Sequence, residues 1–378
     1  MHRNIGAIAP ALLEDWLRER YFTARIDISS SGAENYSLGQ LRELLGISTA
    51  ELDALVFRDS PSLGAEELRE AIADRFAPGS ADHVMVTHGS SEALLLALAA
   101  VVRPGDEVIV LGPVYQSLSS LPAALGAVVK VWELRPEDDF APDLGLLRKL
   151  VSERTRAIVV NFPHNPTGTM LDPAGYSDLL ELADATGCYL FWDAAFGEMA
   201  HDRPPLPDPH PALDRCISFG TLSKAYGLPG IRVGWCIAPP ALLPGLIRLR
   251  DYVSISTSPL NEAIAARVLR QADRILTPRL ETARRNRALL IDWAASHPDL
   301  VSLPAPAGGM CAFPGFPAFS DVRQLCETLL AEHGVLVVPG DCFGHPDRMR
   351  IGYGGPTEEL AEGLARVAQT VATSPRTA

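Results

Sequence analysis

Several things are scarce in this chain of 378 residues. Its six cysteines (Cys188, Cys216, Cys236, Cys311, Cys326 and Cys342) are scattered, with no C-x-x-C pair and no compact ligand spacing. Neither a disulfide-stapled scaffold nor a metal centre is expected, and the thiols read as reduced. Positive charge is in deficit: 33 Lys and Arg face 46 Asp and Glu, a formal net charge of −13. A nucleic-acid or anionic-membrane partner would require a basic surface, so a small molecule is the expected partner, and the acidic surplus is compatible with a cationic one. Long hydrophobic runs are missing too, the longest being Ala93–Val102, about half of the ~20 residues that a membrane span needs. Met1-His-Arg-Asn-Ile-Gly lacks the basic-then-apolar pattern of a secretory signal. A cytoplasmic protein with no membrane partner is therefore expected. The 30 glycines and 31 prolines fall well short of the roughly 25–30% that marks low complexity, and 47% hydrophobic residues suit a packed globule.

What is present is α/β alternation. From about Glu66, β-branched runs at His83–Thr87, Glu107–Leu111, Val128–Trp132, Ala157–Phe162, Tyr189–Asp193, Cys216–Phe219 and Arg232–Ile237 predict seven strands of a mostly parallel sheet. Helix-period stretches at Ser91–Val102, Leu144–Val151 and Ala174–Thr186 fit between them. After Ile275 the pattern changes: Pro278–Ser296 reads as a long helix, followed by a helix near Asp321–His333, a strand over Gly334–Val338 and a last helix near Thr357–Val371. The length exceeds the ~100–200 residues of one typical domain. A large domain over residues 46–275 and a smaller α+β domain from residues 1–45 and 276–378 are expected, the first segment packing onto the smaller domain and over the cleft.

In open α/β sheets ligands bind at the carboxyl ends of strands, and five such places carry chemistry. His88-Gly89-Ser90-Ser91-Glu92 opens an apolar helix, where free N–H groups and two hydroxyls suit a phosphate; the plainer alternative is a helix cap by Ser90 or Ser91. Pro163-His164-Asn165-Pro166-Thr167-Gly168 is a rigid turn whose Asn165 amide can face the cleft. Asp193 ends a buried apolar run and needs a cation or hydrogen-bonding partner there. Lysine is scarce, yet Lys224 is framed by hydroxyls and glycines in Gly220-Thr221-Leu222-Ser223-Lys224; a partly desolvated lysine can form a Schiff base and act as a base. Arg232 follows closely, and Arg350 opens a short strand near the C-terminus, where a guanidinium can clamp a carboxylate bidentately.

Taken in order, Asn165-Pro166-Thr167-Gly168, Thr221-Leu222-Ser223-Lys224 and Gly230-Ile231-Arg232-Val233-Gly234-Trp235 resemble the fold-type I pyridoxal-phosphate enzymes, in the aspartate aminotransferase-like class I/II branch. The resemblance covers nearly the whole chain from about Ile26. It implies pyridoxal 5′-phosphate as cofactor, with Lys224 as its covalent lysine and Asp193 as the partner of the pyridine nitrogen. Asn165 would donate to the ring oxygen, Tyr115 would stack on the ring, and Ser90, Ser91, Thr221, Ser223 and Arg232 would hold the phosphate. Gly32, Asn165 and Arg350 would bind an amino acid substrate, Arg350 taking its carboxylate. A homodimer with interfacial active sites is implied as well, with Ser254–Ser258 a candidate for crossing it. Two positions depart from the branch: Phe196 stands where Asp-x-x-Tyr has its tyrosine, and no tyrosine occurs around Phe57–Gly64.

A narrower resemblance is carried by Leu13–Phe22, Asp27-Ile28-Ser29-Ser30-Ser31-Gly32, Asn35-Tyr36, Thr87–Leu94, Asn161–Pro166 and Phe219–Gly230. These stretches are similar to the capreomycidine synthase family, including its streptothricin-pathway type. That family implies a lyase that takes a β-hydroxylated arginine, with or without a γ-hydroxyl, and closes it into a cyclic guanidino amino acid during antibiotic biosynthesis. Glu14, Asp27 and Glu34 are candidates for the guanidinium. The alternative is an aminotransferase of a basic or aromatic amino acid using a 2-oxo acid. A serine hydrolase is excluded because Thr221, not serine, stands three before Lys224 and no G-x-S-x-G elbow occurs; a DNA-binding regulator lacks a basic patch.

Overall fold

Near-continuous apolar strands separated by helices can bury both faces of a sheet only as a helix-covered, mostly parallel array, and a computed structural model, which describes residues 8–375, has that architecture. Residues 1–7 and 376–378 lie outside the described residues, and with them the N-terminal hexapeptide considered above. In chain order the strands are β1 (Ile26–Asp27), β2 (Val84–Thr87), β3 (Glu107–Gly112), β4 (Val128–Glu133), β5 (Thr155–Asn161), β6 (Tyr189–Asp193), β7 (Cys216–Thr221), β8 (Gly234–Ile237), β9 (Cys311–Ala312), β10 (Val335–Leu336), β11 (Val338–Pro339) and β12 (Met349–Gly352). Seven of them form one sheet in the order β2-β8-β7-β6-β5-β3-β4. All neighbours are parallel except β8, which runs antiparallel to both β2 and β7.

Side chains alternate across this sheet. Val108, Val110, Val159, Phe191 and Phe219 face one apolar layer, which the helix Gly89–Val101 completes with Ala93, Leu96 and Ala97. Ile109, Leu111, Ile158, Val160 and Leu190 face the other, shared with the helices Glu66–Phe76 and Pro259–Arg270. The parallel register pairs Asn161 with Asp193 and Asp193 with Phe219. The carboxyl ends of β5, β6 and β7 are thereby level, and the loops that leave them converge.

Three boundaries differ from the sequence reading. The eighth strand begins at Gly234, not Arg232, because Arg232 lies in the left-handed region at φ 51° and ends a short 3₁₀ turn over Pro229–Ile231. The run 334–338 is not one strand: Val335–Leu336 pairs in parallel with β1, whereas Val338–Pro339 pairs antiparallel with β12. The long helix starts at Ala272 and passes through Pro278. Burial of Ala272, Ile275 and Leu276 offsets the backbone bond that proline removes, a loss of about 3 kcal/mol.

The N-terminal segment meets the C-terminal one. Besides the β1–β10 pair, Trp16 Nε1 donates to Val337 O at 2.8 Å and Gly352 N to Ile28 O at 2.7 Å, while Ala33 N reaches the Lys224 loop instead, donating to Lys224 O at 3.0 Å. We propose a large unit of residues 46–275 and a small one of residues 1–45 and 276–378, joined by the helix Ala272–Ala295, which crosses the second boundary. No helix among the described residues is long and apolar enough to cross a membrane.

Phe191 is fully buried in the centre of the sheet and stacks on Phe219 at a centroid distance of 5.7 Å. Truncation of Phe191 to alanine is expected to cost about 3–5 kcal/mol in urea unfolding; a loss below about 1 kcal/mol would contradict this packing.

Candidate active site

The turn after β5 is knitted to the end of β6. Asn161 Oδ1 accepts from Asn165 N at 2.8 Å, and Asn161 Nδ2 donates to Asp193 O at 3.2 Å. Asp193 Oδ1 accepts from Ala195 N at 3.0 Å. Its carboxyl keeps some surface toward a cavity but is enclosed by protein elsewhere, and burial pushes it up to about 6 despite that bond and the nearby Lys224. The acid is thus costly to ionise unless a cationic hydrogen-bond donor meets it from the cavity.

Across the cavity lies the N-terminus of the helix Gly89–Val101. Its N-cap is His88, whose N–H donates to Glu92 Oε2 at 2.6 Å, and no side chain caps this end. The simple capping role for Ser90 or Ser91 is therefore absent. Gly89 is favoured by its φ of +75°, and a Cβ there would lie 2.6 Å from Arg232 Nη2 and displace the guanidinium. Gly234 lets β8 approach equally closely, a Cβ there falling 2.4 Å from Ser90 N. Arg232 holds a left-handed conformation that costs a side-chain-bearing residue roughly 1–2 kcal/mol, and its Nη1 donates to Pro229 O at 2.9 Å and Ser223 Oγ at 3.3 Å. Thr221 Oγ1 accepts from Ser223 N at 3.1 Å. No carboxylate pairs with Arg232 among the described residues.

Lys224 projects between these walls. Its Nζ donates to Ser31 Oγ at 3.1 Å and sits 6.0 Å from the centre of the Phe196 ring. Burial first, and then the Arg350 guanidinium, hold the lysine below its ordinary value, which enlarges the neutral, nucleophilic fraction. The other two lysines are elsewhere, Lys130 on the edge strand β4 paired with Glu107 of β3 and Lys149 in the helix Leu144–Leu150. Arg350 is 2% exposed and donates to Asn165 Oδ1 at 3.2 Å and to Ser29 O at 2.8 Å, while its buried Nε has no partner. It forms no ion pair among the described residues, so a buried cation stands ready for an anion. Tyr115 hydroxyl donates to Glu14 Oε1 at 3.1 Å, and burial, then the Glu14 charge, lift it to about 12.

The geometry brings the candidates together. Ser90, Ser91, Tyr115, Asn165, Asp193, Thr221, Ser223, Lys224 and Arg232 line one cavity of about 430 Å³. Gly32 and Arg350 line an adjoining chamber of about 210 Å³ that shares Glu14, Tyr115, Asn165 and Lys224 with it. A larger cavity of about 850 Å³ has Phe76, Phe162, Trp192 and Leu276 in its wall, but its Arg75 and Glu198 already pair with each other. Three contacts escaped the sequence reading: Ser31 on Lys224, Asn161 behind Asn165 and Asp193, and Cys311, whose Sγ lies 3.7 Å from Asn165 Oδ1. Asn161 had a signal in its place four residues before Asn165 at the end of a strand; Ser31 and Cys311 had none, being distant in sequence. No group of metal-ligating side chains exists among the described residues.

Comparison with known proteins places the chain among characterised ones. A family model described as aminotransferase class I and II matches residues 50–367. The capreomycidine synthase of Streptomyces vinaceus is 56% identical over 98% of this chain and 96% of its own length. The arginine–pyruvate transaminase AruH of Pseudomonas aeruginosa is 32% identical, covering 81% of this chain and 80% of its own. Among solved structures, the PLP-dependent cyclase OrfR superposes with a TM-score of 0.92 at 44% identity, over 96% of this chain and 97% of that one.

The raised Asp193 carboxyl has a measurable consequence in the cofactor-free protein. With an ordinary value of 3.8 and a folded value of about 6, the folded state binds more protons than the unfolded chain across that window, so stability falls as pH rises through it. Asp193→Asn is expected to gain stability relative to the unsubstituted protein between about pH 4 and 6 in thermal melts; a difference that stays constant with pH would contradict the assignment.

Proposed function

Because the chain belongs to the class I and II aminotransferases, enzymes that use pyridoxal 5′-phosphate, we propose that it is a lyase that cyclises a β-hydroxylated arginine. The substrate is a 3-hydroxy- or 3,4-dihydroxy-arginine, and the product is capreomycidine or its hydroxylated form. The observation that carries this reading is one pocket in which a buried lysine, held below its ordinary value, adjoins a buried arginine without an ion-pair partner, in a chain 56% identical to a capreomycidine synthase.

The residues present fit the cofactor. Ser90, Ser91, Thr221, Ser223 and Arg232 at the helix N-terminus suit a phosphate, and the glycine at 89 leaves room for the arginine beside it. Asp193 suits a protonated ring nitrogen, Asn165 a ring oxygen, Tyr115 a ring face, and Lys224 an aldehyde carbon. When bound, pyridoxal phosphate supplies an electrophilic carbon for the amino group and a ring that takes up the electrons of the Cα–H bond.

The chain's own residues then do the following. Arg350 binds the substrate carboxylate through its guanidinium in the wall of the chamber, which orients Cα toward Lys224. Lys224, held below its ordinary value by burial, removes the Cα proton and hands a proton to the departing β-hydroxyl, which leaves as water. Ser31 steadies the lysine amine between these tasks. As a guanidine nitrogen adds to Cβ it gives up a proton to Lys224, which passes that proton to Cα, and the amino group stays on the product. Phe196 offers no hydroxyl beside Lys224, which supports a path other than transamination. We also propose a homodimer with the active sites at its interface; the exposed Val56, Phe57, Tyr252, Val253 and Ile255 support it.

Incubation with β-hydroxyarginine and with the β,γ-dihydroxy form, without any 2-oxo acid, is expected to yield a cyclic amino acid one water lighter than its substrate by mass spectrometry. Turnover only when a 2-oxo acid is added, with a keto acid as product, would replace this reading by that of an aminotransferase.

A further inference from the structure

A substrate with a carboxylate at one end and a guanidinium at the other requires an acceptor for its cation. Three N-terminal carboxylates are near enough in sequence, and their surroundings separate them. Asp27 Oδ1 is already taken by Ser29 N at 2.8 Å and Ser29 Oγ at 2.6 Å. Glu34 pairs with Arg279 at 3.6 Å. Both line a third pocket of about 310 Å³, whose wall holds neither Lys224 nor Arg350. Glu14 differs: it lines both the chamber with Lys224 and Asp193 and the one with Arg350. Its one hydrogen-bonding partner is the Tyr115 hydroxyl, which leaves Oε2 free, and no Arg, Lys or His pairs with it among the described residues.

The backbone that carries Glu14 is firmly held. The helix Leu12–Arg20 buries Leu13 and Trp16, the Trp16 Nε1 donates to Val337 O at 2.8 Å, and the Arg20 guanidinium lies 4.2 Å over the Trp16 ring. An exposed carboxylate at the mouth of a pocket ordinarily gains little from a pair. Here both substrate ends would be fixed at once, Arg350 behind and Glu14 in front.

We propose that Glu14 is a specificity-determining residue that accepts the distal guanidinium of the amino acid whose carboxylate lies on Arg350. This rests on the arginine-type substrate of the preceding reading. Glu14 thereby selects for a cationic side chain over a neutral one of the same shape, and the Tyr115 hydroxyl keeps the carboxylate turned toward the pocket.

The test compares the affinities of the holoenzyme for L-arginine and for L-citrulline, its neutral near-isostere, by calorimetry, with Glu14→Gln and Glu14→Asp alongside. The unsubstituted enzyme is expected to prefer arginine by tenfold or more. Glu14→Gln should reduce that preference to threefold or less while citrulline affinity changes less than twofold, and Glu14→Asp should restore part of the preference. A Glu14→Gln enzyme that keeps its preference above threefold, or loses both ligands alike, overturns the role of Glu14 and leaves the cyclase reading standing. An unsubstituted enzyme without any preference for arginine overturns the substrate class itself, and this inference with it.

Discussion

Lys224 and Arg350 bring two cationic groups into one pocket, and among the described residues neither is paired with a carboxylate. Like charges in a partly desolvated space disfavour each other's protonated forms, and the arginine, with its far higher proton affinity, keeps its charge. Burial first, and then this repulsion, hold the lysine below its ordinary value. The rest of the site follows from this imbalance. A cavity with Arg232, Arg350 and a helix N-terminus in or beside its wall attracts anions at two points, and Asp193, whose burial makes its charge costly, becomes a comfortable carboxylate when a cation meets it.

The fold exists around this pocket in a physical sense. Level carboxyl ends on β5, β6 and β7 deliver Asn165, Asp193 and the Lys224 loop from three separate stretches of chain to one place. The close approach of β8 at Gly234 brings Arg232 over the helix that starts at Gly89. Because β8 runs antiparallel to its neighbours, its first residues, not its last, reach the carboxyl edge of the sheet. The N-terminal segment closes the space from another side: it lends Ser31 to the lysine and Glu14 to the mouth while it is tied to the C-terminal strands.

Much of this was legible in the sequence because the decisive residues sit where local rules apply. Asp193 ends an apolar run, Asn165 sits in a proline-framed turn, and Ser90 and Ser91 open a helix, so strand-end reasoning finds them one by one. Contacts across long separations were not legible. Ser31 meets Lys224 across 193 positions, and nothing local distinguishes Glu14 from Asp27 or Glu34, whose roles diverge only through their partners in space. The missed boundaries have the same origin. Residues 334–338 split because their first half pairs with β1 and their last residue with β12, and the long helix passes Pro278 because tertiary burial outweighs one backbone bond.

On the proposed path Lys224 carries the Cα proton. L-arginine in deuterium oxide isolates that step, since this substrate analogue has no β-hydroxyl to lose. The holoenzyme is expected to place solvent deuterium at Cα, as read by NMR, and Lys224→Ala to slow that exchange by at least a thousandfold while arginine still binds. Undiminished exchange in the Lys224→Ala enzyme would contradict the account.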